Sequence, residues 1–266
     1  MDNVNILLTA TVNPNGMAFT ELQDPLIRKQ QYVEAAEFYL SHTSANIIVC
    51  ENSGNNFYDE IESKEKTSRL EFICINTNDE GRLRGKSYTE AQILKYALEN
   101  SKFLQSQPFF IKITGRVKIL NIKEIIDSLK YPSNDVDVLQ TEILDRNFVK
   151  SVCFIASKKW MLETVNNYLE RLDERESCHF EWMLYDSALN SKNLKISSIF
   201  PIIDGVCGSL NKKYVNITPP SEHRLNHYNS LYTLYKLKSE NWNYIKAKAK
   251  WYFYILKRKW DVARKK

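Results

Sequence analysis

Residues 4–12, Val-Asn-Ile-Leu-Leu-Thr-Ala-Thr-Val, form an apolar run that stops at Asn13-Pro14-Asn15-Gly16, a dense turn signal. So short and apolar a run reads as a strand buried on both faces. Asp24-Pro25 then pairs an N-cap residue with Pro at the first helical position, so residues 26–40 read as an amphipathic helix. A second buried strand over residues 46–50 ends in Glu51-Asn52-Ser53-Gly54. Strand, helix and strand in this order make a βαβ unit, whose crossover favours a parallel sheet.

The pattern continues along the chain. A strand over 71–75 leads through a polar loop to Ser87-Tyr88-Thr89-Glu90, where Ser87 and Glu90 stand at capping-box spacing ahead of a helix over 91–100. Residues 109–114 read as a strand that Gly115-Arg116 interrupts and 117–120 resume, and 122–129 as a short helix before Tyr131-Pro132. Beyond it the reading is a strand over 149–156, helices over 158–172 and 180–190, and a strand over 196–203. Pro219-Pro220 closes this body. The chain therefore divides into one α/β domain over residues 1–220, with a mostly parallel sheet flanked by helices, and a tail over 221–266 that is helical across 223–238 and 241–259.

Charge separates the same two parts. Residues 236–266 hold eleven Lys and Arg against Glu240 and Asp261, a net charge of +9, while the other 26 Lys and Arg of the chain face 30 Asp and Glu, a net charge of −4. A mildly acidic body with a basic end implies that the tail meets an anionic partner. A nucleic-acid-binding body would spread positive charge over itself, so no nucleic acid is expected there. The start of the chain lacks the basic and apolar segments of a secretory signal, and no uncharged apolar run reaches spanning length. Cys50, Cys74, Cys153, Cys178 and Cys207 are scattered and odd in number, which fits reduced thiols in a cytoplasmic protein.

Several constellations carry candidate chemistry. Gly81-Arg82-Leu83-Arg84-Gly85-Lys86-Ser87 follows a strand and precedes a helix, yet only three residues separate its glycines where a phosphate-cradling P-loop has four. Lys86 beside a helix N-terminus is either an anion contact or a solvated lysine of an exposed basic loop. Asp135-Val136-Asp137 is the one Asp-x-Asp of the chain, offering oxygen ligands to Mg²⁺ or Mn²⁺, or else forming a solvated loop. His179 adjoins aromatic residues, and His223 and His227 share a helix face without a third ligand, so no metal site is assigned to them.

The order of these segments resembles the GT-A fold of glycosyltransferases, particularly the small enzymes of bacterial capsule and lipopolysaccharide O-antigen synthesis, over roughly residues 4–210. The resemblance implies a Rossmann-like domain that moves a sugar from a nucleotide-sugar donor to a glycan or lipid-linked glycan acceptor. Thr9, Thr11 and Asn13 match the strand end at the nucleotide base, and Glu51, Asn52 and Ser53 the polar turn at the nucleoside. Lys86 matches the next donor-side segment. Where the family carries a metal-binding Asp-x-Asp, the strand over 109–114 ends in Thr114-Gly115-Arg116, a Lys-Ile-Thr-Gly-Arg segment similar to those of capsule-type transferases. A guanidinium grips a diphosphate bidentately, so the resemblance implies binding with no cofactor and no metal, Arg116 replacing the cation's charge. The bland reading is a turn glycine beside a surface arginine. Cys178-His179-Phe180-Glu181-Trp182-Met183-Leu184 resembles the acidic helix start that bears the catalytic base of inverting members, with Glu181 at the base position. Glu181 is equally suited to a helix start for its favourable dipole interaction alone.

In the tail, 100° per residue places Trp242, Ile245, Ala249, Tyr252, Phe253, Leu256 and Trp260 on one face, flanked by Lys246, Lys248, Lys250, Lys257 and Lys259. With Trp251 and Arg258 close by, this is the pattern of a helix lying in a membrane interface, which would hold the protein at the inner face of the cytoplasmic membrane. The same segment suits a helix docked on the body, or an RNA-binding tail. Two rival functions remain: a non-catalytic nucleotide- or nucleic-acid-binding α/β protein, and a membrane-associated scaffold.

Overall fold

The apolar runs pair edge to edge, as strands buried on both faces must. In a computed structural model of the chain, residues 4–128, 137, 143–144, 148–191, 199, 201–214, 245–246, 248–249 and 253 are described. The first half holds β1 (Asn5–Ala10), α1 (Pro25–His42), β2 (Asn46–Glu51), α2 (Lys66–Arg69), β3 (Leu70–Cys74), α3 (Asn78–Arg84), α4 (Lys86–Asn100), α5 (Lys102–Gln105) and β4 (Phe109–Thr114). There follow β5 (Lys118–Ile119), α6 (Ile122–Ser128), β6 (Ile143–Leu144), β7 (Phe148–Val149), β8 (Cys153–Ser157), α7 (Lys158–Tyr168), α8 (Phe180–Asn190), β9 (Ile203–Asp204), β10 (Val206–Cys207) and β11 (Lys212–Lys213).

The central sheet has the order β3-β2-β1-β4-β8. Its first four strands are parallel and β8 runs antiparallel to β4 at the edge. Alternation along the strands sends Leu7, Ile48, Phe110 and Phe154 to the face covered by α4, α7 and α8. Ile6, Leu8, Ile47 and Ile111 go to the face covered by α1 and α6. Each such side chain contributes roughly 1.5–3 kcal/mol on full burial. This is the α/β architecture with a mostly parallel, helix-flanked sheet that the βαβ reading requires.

The signals around α1 act as read. The Asp24 carboxylate accepts from the amides of Leu26 at 2.8 Å and Ile27 at 3.2 Å, with Pro25 opening the helix. At the other end, the Arg69 guanidinium donates to the carbonyls of Thr43 at 2.9 Å and Ala45 at 2.8 Å, and to that of Leu40, tying the start of β3 to the end of α1.

Four local expectations fail. The polar loop before Ser87 contains α3, and α4 starts at Lys86, so the capping box does not form. Gly85 is the joint between the two helices, with φ of 96°, a conformation in which a side chain is strained. Ser87 lies inside the first turn and donates its amide to Glu174 Oε1 at 3.1 Å, while Glu90 faces the sheet. The strand read over 149–156 splits into β7 and β8, because Ser151 leaves the ladder to hold two side chains described below. The resumed strand after Arg116 shrinks to β5 and pairs with β9, outside the central sheet. The helix read over 158–172 stops at Tyr168 and continues as a single tighter turn over Leu169–Arg171.

Candidate functional site

The strand order reverses beside β1, since β2 lies on one side of it and β4 on the other. Open parallel sheets bind ligands in the crevice beyond the carboxyl ends of strands at such a point. A cavity of about 90 Å³ occupies that position, lined from β1 and β4 by Thr9, Thr11, Thr114 and Arg116. Arg28 and Tyr32 of α1, and Lys86, Thr89, Glu90 and Ile93 of α4, form its walls, with Met17, Thr20, Gly208 and Ser209 at the rim.

The cavity is dominated by fixed cations. Arg28 is buried and spread over three acceptors, with Nε on the Thr11 carbonyl at 2.7 Å, Nη1 on the Leu22 carbonyl at 3.1 Å and Nη2 on the Tyr32 hydroxyl at 3.2 Å. Burial lowers its pKa, the Tyr32 phenol acts in the opposite direction, and the charge of Arg116 lowers it further. Two guanidinium groups that repel across a cavity favour an anion between them.

The roof is the β10–β11 hairpin. Arg116 donates to the Val206 carbonyl at 2.9 Å, Lys86 meets the Ser209 hydroxyl, and the amides of Glu21 and Leu22 donate to the Gly208 carbonyl at 3.0 and 3.2 Å. Thus the hairpin occupies two of the cations with neutral oxygens. Sites for drug-sized ligands typically enclose ~300–1,000 Å³. The cavity of about 90 Å³ is smaller than that range, with the hairpin over it.

Under the cavity lies a completely buried ammonium, Lys112 of β4. It pairs with Glu90 and donates to Thr114 Oγ1 at 3.3 Å and to the Ser151 carbonyl at 2.9 Å. The rings of Phe154 and Phe180 lie 5.7 and 5.9 Å from it. A buried charge is tolerated only when paired and hydrogen-bonded in this way.

The residues singled out in the sequence fall into three groups. Thr9, Thr11, Lys86, Thr114 and Arg116 come together in the cavity lining. Asn13, Glu51, Asn52, Ser53 and Gly115 stand behind it. Glu51 is fully buried and accepts from the amides of Val12 at 2.9 Å, Ser53 at 3.0 Å and Asn55 at 2.8 Å, and from the Ser53 hydroxyl. Asn52 accepts from Thr11 Oγ1 at 2.7 Å, and the Ser53 hydroxyl accepts from the Asn13 amide at 2.9 Å. These groups brace the tips of β1 and β2. Gly115 gives its amide to the Thr9 carbonyl at 2.9 Å, and a Cβ there would come within 2.7 Å of that oxygen. The close approach it permits is between β4 and β1.

Glu181 forms the third group. It sits half-buried in the first turn of α8, away from the cavity lining, and accepts from Ser151 Oγ at 2.7 Å. Its neighbours serve packing: Phe180 is in the core, and Trp182 meets Tyr168 edge-on at 5.7 Å with Arg171 over its ring. Asp137 accepts from Ser191 Oγ at 3.0 Å. Asp135, His223, His227, Trp242, Lys250, Trp251, Lys257, Arg258 and Trp260 lie outside the described residues, as does the boundary at Pro219-Pro220. In the tail Ile245, Lys246, Lys248, Ala249 and Phe253 are helical, and Ile245 and Phe253 are 53% and 63% exposed. Among the described residues no helix is long and apolar enough to cross a membrane.

Sequence reasoning missed Arg28, Tyr32, Glu90, Lys112 and the hairpin. Arg28 and Tyr32 stand four residues apart on the stripe that also carries Ala35, Ala36 and Tyr39. A charged residue on a buried stripe was the available signal. Lys112 likewise interrupts an otherwise apolar buried strand.

No protein family matches the sequence, and none of the curated proteins does. Among solved structures the chain is similar to the galactosyltransferase LgtC in complex with donor and acceptor sugar analogs, at 10% identity, 73% of each chain and a TM-score of 0.47. It is similar to the glycosyltransferase GlyE of Streptococcus pneumoniae TIGR4 at 11% identity over 73% of this chain and 45% of that one, with a TM-score of 0.46. HddC from Yersinia pseudotuberculosis is similar at 16% identity over 60% and 79% of the two chains, with a TM-score of 0.39.

Glu51 tests the bracing role. Glu51→Gln keeps the volume but faces an amide NH₂ against backbone N–H donors, so it is expected to cost about 3 kcal/mol of unfolding free energy. Urea unfolding measures this, and an unchanged midpoint would show that the strand tips do not depend on the carboxylate.

Proposed function

We propose that the chain is a glycosyltransferase of bacterial surface-polysaccharide synthesis, moving a sugar from a nucleotide-sugar donor to a glycan or lipid-linked glycan acceptor. The observation that carries this reading is the convergence of Arg28, Lys86 and Arg116 with Thr9, Thr11 and Thr114 at the strand reversal. Three cations and three hydroxyls suit a diphosphate and the sugar rings on either side of it. The order of motifs that resembles the GT-A enzymes supplies the reaction type.

Donor binding in this reading needs no metal. A divalent cation of the Mg²⁺ type takes carboxylate and other oxygen ligands. The carboxylate in the lining, Glu90, is already paired with Lys112, and β4 ends in Thr114 and Arg116. These residues do not fit a metal. Arg116 and Lys86, released from the hairpin, would neutralise the diphosphate as it leaves. The acceptor hydroxyl would attack the anomeric carbon from the opposite side and pass its proton to Glu181, inverting the configuration. The non-catalytic nucleotide-binding alternative keeps one favouring observation, that Glu181 does not line the cavity. The exposed Ile245 and Phe253, with Lys246 and Lys248 close to them in sequence and helical like them, support a tail that rests on an anionic membrane surface.

Arg116→Ala is expected to weaken binding of the nucleotide-sugar at least tenfold, as loss of a bidentate charged contact does. Calorimetric titration checks this, and wild-type affinity in the variant would remove Arg116 from the site. EDTA should leave turnover unchanged, whereas a loss restored by Mn²⁺ would bring Asp135 and Asp137 forward.

Glu181→Gln is expected to lower turnover by ~10²–10⁴-fold, the usual contribution of a general base, with donor affinity retained. Near-normal turnover in a stably folded variant would place the base elsewhere or mean that configuration is retained.

For the tail, Lys246→Glu combined with Lys248→Glu in the full chain should reduce sedimentation with anionic liposomes, and added salt should reduce that of the wild type. Equal binding by both proteins at all salt concentrations would sink the membrane role.

A further inference from the structure

The cavity gathers three cations around a single carboxylate, and that carboxylate is held in an unusual way. Glu90 projects from the second turn of α4, one turn beyond Lys86, so the two side chains share a helix face. One of its oxygens, Oε1, takes both the Lys112 ammonium and the Thr9 hydroxyl, the latter at 3.2 Å. Among the described residues no hydrogen bond reaches the other oxygen. The side chain is 22% exposed and lines the cavity. Lys112 has no exposure and is held by Thr114 and Ser151, so it cannot turn away to serve a ligand.

Such a carboxylate is an acceptor only, and its charge repels phosphate. Phosphates therefore belong to Arg28, Lys86 and Arg116, and the part of a ligand beside Glu90 must be neutral and rich in donors. We propose that Glu90, positioned by Lys112, accepts a hydrogen bond from a hydroxyl of one of the donor's sugar rings, and so selects a neutral sugar over an acidic one. Lys112 is a positioning residue: it removes the rotational freedom of Glu90 and fixes which oxygen faces the cavity. This rests on the nucleotide-sugar reading of the cavity, which it deepens by assigning the ring-binding group.

The test is a set of calorimetric titrations of the full chain with UDP, UDP-glucose and UDP-glucuronate, and with GDP, GDP-mannose and GDP-mannuronate. Wild type is compared with the double variant E90Q/K112M, which removes the buried charges together, and with E90Q alone, which keeps Lys112 if the double variant does not fold. Losing one charged hydrogen bond should weaken the neutral nucleotide-sugar about tenfold. Affinity for the diphosphate alone should stay within about twofold, and the acidic-sugar ligand should bind tighter than to wild type, a reversal that general loosening of the site would not produce. If the hydroxyl belongs to the ribose, the diphosphate itself weakens about tenfold while its 2′,3′-dideoxy form does not, which keeps the hydrogen bond, moves it to that ring and overturns the selection between neutral and acidic sugars. Equal affinity ratios across the three ligands in wild type and variants overturn the inference alone. A wild type that binds neither series overturns the nucleotide-sugar reading and the inference with it.

Discussion

The reversal of strand order beside β1 decides where everything else in the site must go. Because the chain leaves β1 toward β2 on one side and returns through α4 to β4 on the other, α1 and α4 cover opposite faces of the sheet. Their first turns then stand on either side of one crevice. Arg28 enters it from α1, and Lys86, Thr89 and Glu90 enter from α4. The N-terminal end of α4 adds the positive end of its dipole to these side chains. The strand tips beside the crevice are held by Glu51 between β1 and β2 and by Gly115 between β1 and β4.

Concentrating positive charge in so small a space has a cost that the fold meets in two ways. Below the cavity, the Lys112 ammonium is paired with the Glu90 carboxylate. Above it, Arg116 and Lys86 are met by a carbonyl and a hydroxyl of the β10–β11 hairpin, which satisfy hydrogen bonds but leave the charges uncompensated. Arg28 is also met by neutral oxygens and feels Arg116 as a like charge. Hydrogen bonds between a charged donor and a charged acceptor are stronger than those to a neutral one. The same cations are therefore suited to an anionic acceptor. The small cavity and the surplus of positive charge are thus two aspects of one arrangement.

Much of the scaffold was legible in the sequence because its signals are local. The apolar runs of β1, β2 and β4 are buried on both faces, and Asp24-Pro25 starts α1 through bonds to the next residues, so each can be read without knowing the fold. Thr9, Thr11, Thr114 and Arg116 follow, since they stand at the ends of those strands. What could not be read depends on distant partners. Ser87 looks like a cap, but Glu174, 87 residues away, takes its amide, and α3 fills what reads as a loop. Glu51 looks like a ligand-facing acid at a strand end, yet the neighbouring amides enclose it. The hairpin has two-residue strands too short to leave a periodic pattern, and its place over the cavity is set by Arg116, 90 residues earlier.

The position of Glu181 constrains how the proposed transfer would be organised. Its carboxylate is tied to the Ser151 hydroxyl, and the carbonyl of the same residue holds Lys112, which holds Glu90 at the cavity. Donor pocket and proposed base are thus joined through one residue in the break between β7 and β8, and Glu181 is not part of the cavity lining among the described residues. A base so placed cannot act on a donor alone. In the proposed transfer the acceptor would have to bring its hydroxyl into the space between Glu181 and the cavity. The tie to Ser151 orients one carboxylate oxygen and leaves the other able to accept from an acceptor hydroxyl.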